Sequence, residues 1–148
     1  KGISAYFLDG IFERESYGLV SELRLARGMT DEVYDKIKDY LTVYSDGRIN
    51  INTAGNIVLR VMSSDITEDL AQRIISYREK NRFEQNADLK NVVGISDAIY
   101  SVIQSDIDVK SDNYSVISTG TVNEVDNTVE AVLKRSGPNI TRLYWRNQ

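Results

Sequence analysis

The feature that most constrains this chain is an internal duplication. The stretch L23 to D46, LRLARGMTDEVYDKIKDYLTVYSD, and the stretch L89 to D112, LKNVVGISDAIYSVIQSDIDVKSD, align without a gap. Shared or similar positions include Leu23/Leu89, Gly28/Gly94, Met29/Ile95, Thr30/Ser96, Asp31/Asp97, Tyr34/Tyr100, Ile37/Ile103, Val43/Val109 and Asp46/Asp112. Each copy places a Gly-apolar-hydroxyl-Asp turn between two helical segments. Gly28 and Gly94 permit positive φ, and Thr30 and Ser96 can cap the free N–H groups of the helix that follows. In the first copy Val33, Ile37 and Leu41 recur at helical spacing and predict one inward apolar stripe.

A related turn, Asp65-Ile66-Thr67, opens the strongest helical pattern. Ile66, Leu70, Ile74 and Tyr77 share one face, Thr67 is the expected cap, and Glu68 and Asp69 stand in the first turn, where the helix dipole favours acids. Shorter helices are expected over Leu19–Leu25, up to Met62 with Asn52 or Thr53 as cap, and near Ala87–Asn91. Residues 1–20 carry an apolar AYFL and allow either a short strand or a packed arm. SDG at 45–47 reads as a hairpin-type turn, and the alternation of Ile49 and Ile51 in RININTAG reads as a short strand near 48–51.

From Tyr114 the period changes from helical to alternating. NYSVISTGTV, TVEAVLKR and NITRLYWR read as three strands of an antiparallel meander, divided by VDN and by SGPN. The division is therefore a helical domain over 1–113, with its one short strand, and a sheet over 114–148. The fold class is α+β: a helical array of helix-hairpin-helix or SAM-like repeats inserted in or followed by a small antiparallel sheet. Such a sheet is too small to stand alone, so one face should lie against a helix.

Composition narrows the chemistry. The 148 residues contain no histidine and no cysteine, which removes Ser-His-Asp and Cys-His nucleophile arrangements, the common zinc ligand sets and disulfides. No local signature singles out a pair of carboxylates for acid–base work, so no catalytic residue is assigned and the chain reads as a non-enzyme. Asp106, Asp108, Asp112 and Asn113 offer oxygens to a hard cation such as calcium. The run nevertheless lacks the glycine and closing glutamate of an EF-hand loop, and a solvated loop fits it better. No metal ligand and no cofactor is assigned. No apolar run approaches the ~20 residues that span a bilayer, and the first residues do not resemble a signal peptide. Beginning at Lys1, the chain reads as a fragment or a processed product.

Turns of this kind raise the question of nucleic acid. The DNA-binding helix-hairpin-helix uses Gly-apolar-Gly, so that bare backbone approaches a phosphate. Here the second glycine is always Thr or Ser, and in the middle turn the first is Asp. Asp31, Glu32, Glu68, Asp69 and Asp97 stand behind the turns, and the net charge of −4 supplies no field for a polyanion. The turns thus read as structural devices, with Gly28, Thr30, Thr67, Gly94 and Ser96 as turn and cap residues. Trp145, beside Leu143 and Tyr144, reads as part of the packed face of the sheet and as a candidate interface residue.

With those residues in view, the chain resembles the periplasmic part of the K-type minor pseudopilin of type II secretion systems (general secretion pathway protein K). The resemblance rests on GMTDEVYDKIKDYLTVYSDGRININTAGNIVL, with its Ile-Asn-x-Asn-Thr-Ala junction, then on LAQRIISYREKNRF, DLKNVVGIS and the closing TVEAVLKR and RLYWR, and it covers roughly residues 17 to 148. It implies a helical domain inserted into a pilin-like sheet, export to the periplasm and tethering to the inner membrane by an N-terminal helix not present in this sequence. It also implies packing with companion minor pseudopilins at the pseudopilus tip, and contact with secreted substrate or secretion machinery. Some members of that family bind calcium; their ligands do not map onto this sequence. The alternative is a helix-hairpin-helix DNA-binding module of a competence or repair protein.

Overall fold

The computed structural model describes residues 19–147, which divide into two compact units with the boundary after Lys110. Most of the N-terminal stretch containing AYFL lies outside the described residues. Within the first unit a 3₁₀ turn, Val20–Leu25, leads to α1 (Asp31–Ile37) and a further 3₁₀ turn, Lys38–Tyr40. The chain continues through β1 (Ile49–Asn50), α2 (Asn56–Arg60), α3 (Glu68–Lys80), a 3₁₀ turn Asn86–Asn91, α4 (Asp97–Ile103) and β2 (Ile107–Asp108).

The longest apolar period gives the longest helix. Leu70, Ala71 and Ile74 of α3 are buried, and they join Ile51, Leu59, Ile66, Phe83, Leu89, Val92, Ile95, Ile103, Ile107 and Val109 in one core. Tyr77 stacks on Phe83 with ring centroids 5.3 Å apart, closing the C-terminal end of α3 over that core. Each fully buried Leu, Ile or Phe among them contributes on the order of 1.5–3 kcal/mol by leaving water. Their concentration between α3 and the second hairpin makes this part of the unit its thermodynamic centre.

Several local expectations need correction. The α-helix of the first copy ends at Ile37, and Leu41 is already extended. Its buried residue is Tyr34, whereas Val33 is 44% exposed, so the stripe of Val33, Ile37 and Leu41 does not point into the core. SDG at 45–47 does not build a hairpin. The strand after it, β1, pairs in parallel with β2, Ile49 opposite Ile107 and Asn50 opposite Asp108. A parallel pair needs a long crossover, which α2, α3 and α4 supply. The sequence offered no sign of β2, since two residues carry no readable period. The cap of α2 is Gly55, without a side-chain bond; Asn52 and Thr53 do not fill that role.

The second unit is a three-stranded antiparallel sheet in the order β3 (Asn113–Val122), β4 (Val125–Ser136), β5 (Asn139–Asn147). The first turn falls at Asn123-Glu124, both at positive φ (50° and 64°), the geometry that suits strand twist in a two-residue hairpin. VDN, expected to divide the strands, therefore lies across the start of β4. Register places Tyr114 opposite Leu133, Val116 opposite Ala131 and Val122 opposite Val125 on one face, and Ala131 opposite Trp145 continues that face into β5. The opposite face carries Ser115, Ile117, Thr119, Thr121, Thr128, Glu130, Val132 and Lys134. A register shift between Val132 and Leu133 bends the β4–β5 ladder.

Candidate functional site

The two copies fold alike down to their side chains. Gly28 has φ +87° and Gly94 +106°, conformations an L-residue rarely adopts. Thr30 Oγ1 accepts the Val33 N–H at 3.2 Å, and Ser96 Oγ accepts the Ile99 N–H at 3.2 Å. Ahead of each turn Leu19 N donates to Glu22 Oε2 and Gln85 N donates to Asp88 Oδ2, so an acid closes each 3₁₀ segment. In the first copy the Arg24 guanidinium lies 4.3 Å from the Tyr34 ring centroid and donates to Asp31 at 2.8 Å. In the second, Lys90 lies 4.7 Å from the Tyr100 ring centroid and donates to Asp97 at 2.7 Å. That bond holds the Asp97 carboxyl below its ordinary range and raises the Lys90 ammonium above its own.

Thr67 caps α3 in the same way, its Oγ1 accepting the Leu70 N–H at 3.2 Å. In all three turns, then, the hydroxyl is bonded to the N–H group that a phosphate at the helix start would need, and Asp31, Glu32, Glu68, Asp69 and Asp97 occupy the first turns. The arrangement favours self-capping over anion capture. Structure brings Thr67 and Gly94 into one assembly, because α3 lies across the second hairpin: a Cβ built on Gly94 would stand 2.9 Å from Leu70 Cδ1. Gly28 and Thr30 lie outside that core.

Two residues carry a structural role that sequence reasoning did not give them: Asn52, read there as a candidate helix cap, and Arg78. Asn52 joins three segments: its Nδ2 donates to the carbonyls of Phe83 (2.8 Å) and Val109 (3.0 Å), and its Oδ1 accepts the Phe83 N–H at 3.0 Å. Arg78 Nη1 donates to the Ile51 and Ala54 carbonyls at 2.8 and 2.7 Å, tying α3 to the turn after β1. Burial lowers the Arg78 guanidinium below its ordinary value, with Glu79 opposing the shift. The signal that could have found Asn52 is its position in Ile-Asn-Ile-Asn-Thr-Ala: an amide directly after the fully buried Ile51 must find partners.

Within the acid run, Asp108 is tied to the backbone that follows it and to Arg48. Asp108 Oδ1 accepts the Val109 and Lys110 N–H groups while Oδ2 meets Arg48 at 3.3 Å. Among the described residues no group of three acids is arranged to hold a metal ion, and no helix is long and apolar enough to cross a membrane. On the sheet, Trp145 is half exposed, with Arg142 5.4 Å from its ring centroid, and Val122, Val125 and Ile140 on the apolar face are largely exposed. Trp145 is therefore not enclosed as a packed-face residue, and it remains open to contact.

Comparison with known proteins gives a consistent picture of the fold. A family model described as a helix-hairpin-helix motif matches residues 45–107, which takes in the Asp65 and Gly94 turns and leaves out the Gly28 copy. No curated protein sequence matches the chain significantly. Among solved structures it is similar to GspK in the GspK-GspI-GspJ complex of the enterotoxigenic Escherichia coli type 2 secretion system, at TM-score 0.69 and 22% identity, over 87% of this chain and 47% of that one. The chain thus spans about half the length of that relative. It has a K-type pseudopilin-like fold, with helix-hairpin-helix elements and an antiparallel sheet.

Proposed function

We propose that this chain is the periplasmic part of a structural minor pseudopilin of a type II secretion system, which packs with companion minor pseudopilins to form or initiate the pseudopilus tip. The observation that carries this reading is the likeness to GspK, which extends through both the helical unit and the sheet and was solved as a complex with two other pseudopilins. Absence of histidine and cysteine from the sequence agrees with a role in shape and packing rather than catalysis. In this reading the helical unit is a rigid cap whose bulk opposes addition of a further subunit, and an N-terminal helix preceding this segment tethers the protein to the inner membrane. Secreted substrate and secretion machinery are further contacts. Trp145 and the exposed apolar face of the sheet offer contact area, and Trp145→Ala should weaken assembly while leaving the helical unit folded. Co-purification with soluble companion subunits tests the proposal; failure to associate where those subunits assemble with one another would overturn it.

The helix-hairpin-helix match supports a second reading, a DNA-binding module. It requires salt-sensitive duplex binding, and an empty gel shift at low ionic strength removes it.

A further inference from the structure

The SDG segment, which builds no hairpin, carries a chemistry of its own. Among the described residues Asp46 is the one Asp or Asn followed by glycine, because Gly28, Gly55, Gly94, Gly120 and Gly137 follow Arg27, Ala54, Val93, Thr119 and Ser136. That neighbour matters because a main-chain nitrogen can attack the carboxyl carbon of the residue before it. A side chain on the attacking residue hinders ring closure, most of all a β-branched one such as Ile107 after Asp106 or Val109 after Asp108. Gly47 presents none.

Local geometry brings the reacting groups together. Asp46 Oδ1 accepts the Arg48 N–H at 3.1 Å, an Asx turn that folds the carboxyl back across the intervening Gly47 nitrogen. Gly47 N–H donates to Ser45 Oγ at 3.0 Å, so its proton already faces an acceptor. Arg48 Nε lies 3.8 Å from Asp46 Oδ2, where its charge offsets negative charge building on the carboxyl oxygens during the attack. The Asp46 side chain is 70% exposed, which admits the water required later. Gly47 has φ +90° and lies outside any helix or strand, so no ladder bond is broken when its nitrogen turns.

We infer that Asp46–Gly47 is a site of spontaneous aspartate isomerisation in the folded protein. The Gly47 nitrogen bonds to Asp46 Cγ; the hydroxyl of the protonated carboxyl leaves as water with the proton of that nitrogen, and a succinimide ring remains. Water then opens the ring. Cleavage of the new bond at Cγ restores aspartate, while cleavage between the Asp46 main-chain carbonyl and the Gly47 nitrogen leaves isoaspartate, with the main chain routed through Cγ. The water lost in closing the ring is regained in opening it, and no oxidant, reductant or cofactor enters. The isomer lengthens the main chain immediately ahead of β1, where Ile49 N–H donates to the Asp106 carbonyl at 2.8 Å and Arg48 meets Asp108 at 3.3 Å. Isomerisation therefore loosens the β1–β2 pair.

The full chain, incubated for several weeks at mildly acidic pH with its fold checked by circular dichroism, is digested and mapped by mass spectrometry with electron-transfer fragmentation, which distinguishes isoaspartate from aspartate of equal mass. A free peptide of residues 42–51 under the same conditions sets the rate without the fold. Isoaspartate should accumulate at position 46 at a rate within about tenfold of the peptide's, since only the bonds of an exposed turn restrain the attack. Asp46→Asn should form the same ring faster, with ammonia leaving in place of water, and Asp46→Glu, whose longer side chain closes a less favourable ring, should form no isomer. Protein still unmodified at position 46 when the peptide is largely converted, or an isomer that forms only in urea, overturns the inference. The isolated isomer should unfold at a lower urea concentration than the parent chain; an unchanged midpoint overturns the effect on β1.

Discussion

Asn52→Ala should destabilise the helical unit by about 3 kcal/mol, because one side chain holds three segments. It bonds to both backbone groups of Phe83 and to the Val109 carbonyl, so it joins the turn after β1 to the exits of α3 and β2. A net hydrogen bond contributes ~0.5–1.5 kcal/mol, and a group left unpaired in a buried setting costs ~1–3 kcal/mol. Three lost bonds of average strength give about 3 kcal/mol, and the Phe83 N–H, adjacent to a fully buried ring, makes a smaller figure hard to reach. Asn52→Asp is the sharper control. It keeps the acceptor for Phe83 but presents a carboxylate to two carbonyl oxygens, so it should cost at least as much as alanine at about pH 7 and recover in part as the carboxyl protonates near pH 4. Urea unfolding followed by far-ultraviolet circular dichroism measures both. A loss under about 1 kcal/mol for Asn52→Ala, with the slope of the transition unchanged, would refute the view that this amide is the joint of the unit.

Three further outcomes follow from the geometry. Gly28→Val should cost ~1–2 kcal/mol from backbone strain alone, whereas Gly94→Val should cost clearly more, because its side chain also collides with Leu70; equal melting temperatures for the two variants would refute the difference in covering. Thr67→Ala should cost ~1 kcal/mol by uncapping the helix that carries Leu70, Ala71 and Ile74 into the core, again read from urea midpoints. Asp88 is held below its ordinary pKa by the Gln85 and Glu84 N–H groups, first the former and then the latter. A depressed folded-state pKa gives stability that is full above the unfolded value of about 3.9 and is lost as pH falls through the folded value. Wild type should therefore lose stability below about pH 4, and Asp88→Asn should lose less over that interval; identical acid limbs would contradict the assignment.

Much of this architecture was legible because it is local. Thr30, Thr67 and Ser96 announce their caps through the acids and apolar residues behind them, and each accepts the expected N–H. Gly28 and Gly94 announce positive φ by lying between a finished segment and a cap. What escaped is what depends on distant partners. The β1–β2 pair joins residues far apart in sequence and only two residues long on each side. Asn52 reads as a cap and Arg78 as an ordinary surface cation until the carbonyls they bond come together. Val33 follows a helical apolar period, yet it stands outside the core formed by the described residues, since periodicity states which residues share a face and not whether anything covers that face.

The account stands most directly on whether the fold serves assembly. Soluble domains of the companion minor pseudopilins from the same secretion system, mixed with this chain and resolved by size-exclusion chromatography with light scattering, provide that test. The reading predicts a complex whose mass equals the sum of this chain and its companions, formed by wild type and weakened by Trp145→Ala. Companions that assemble with one another while this folded chain elutes alone would contradict it.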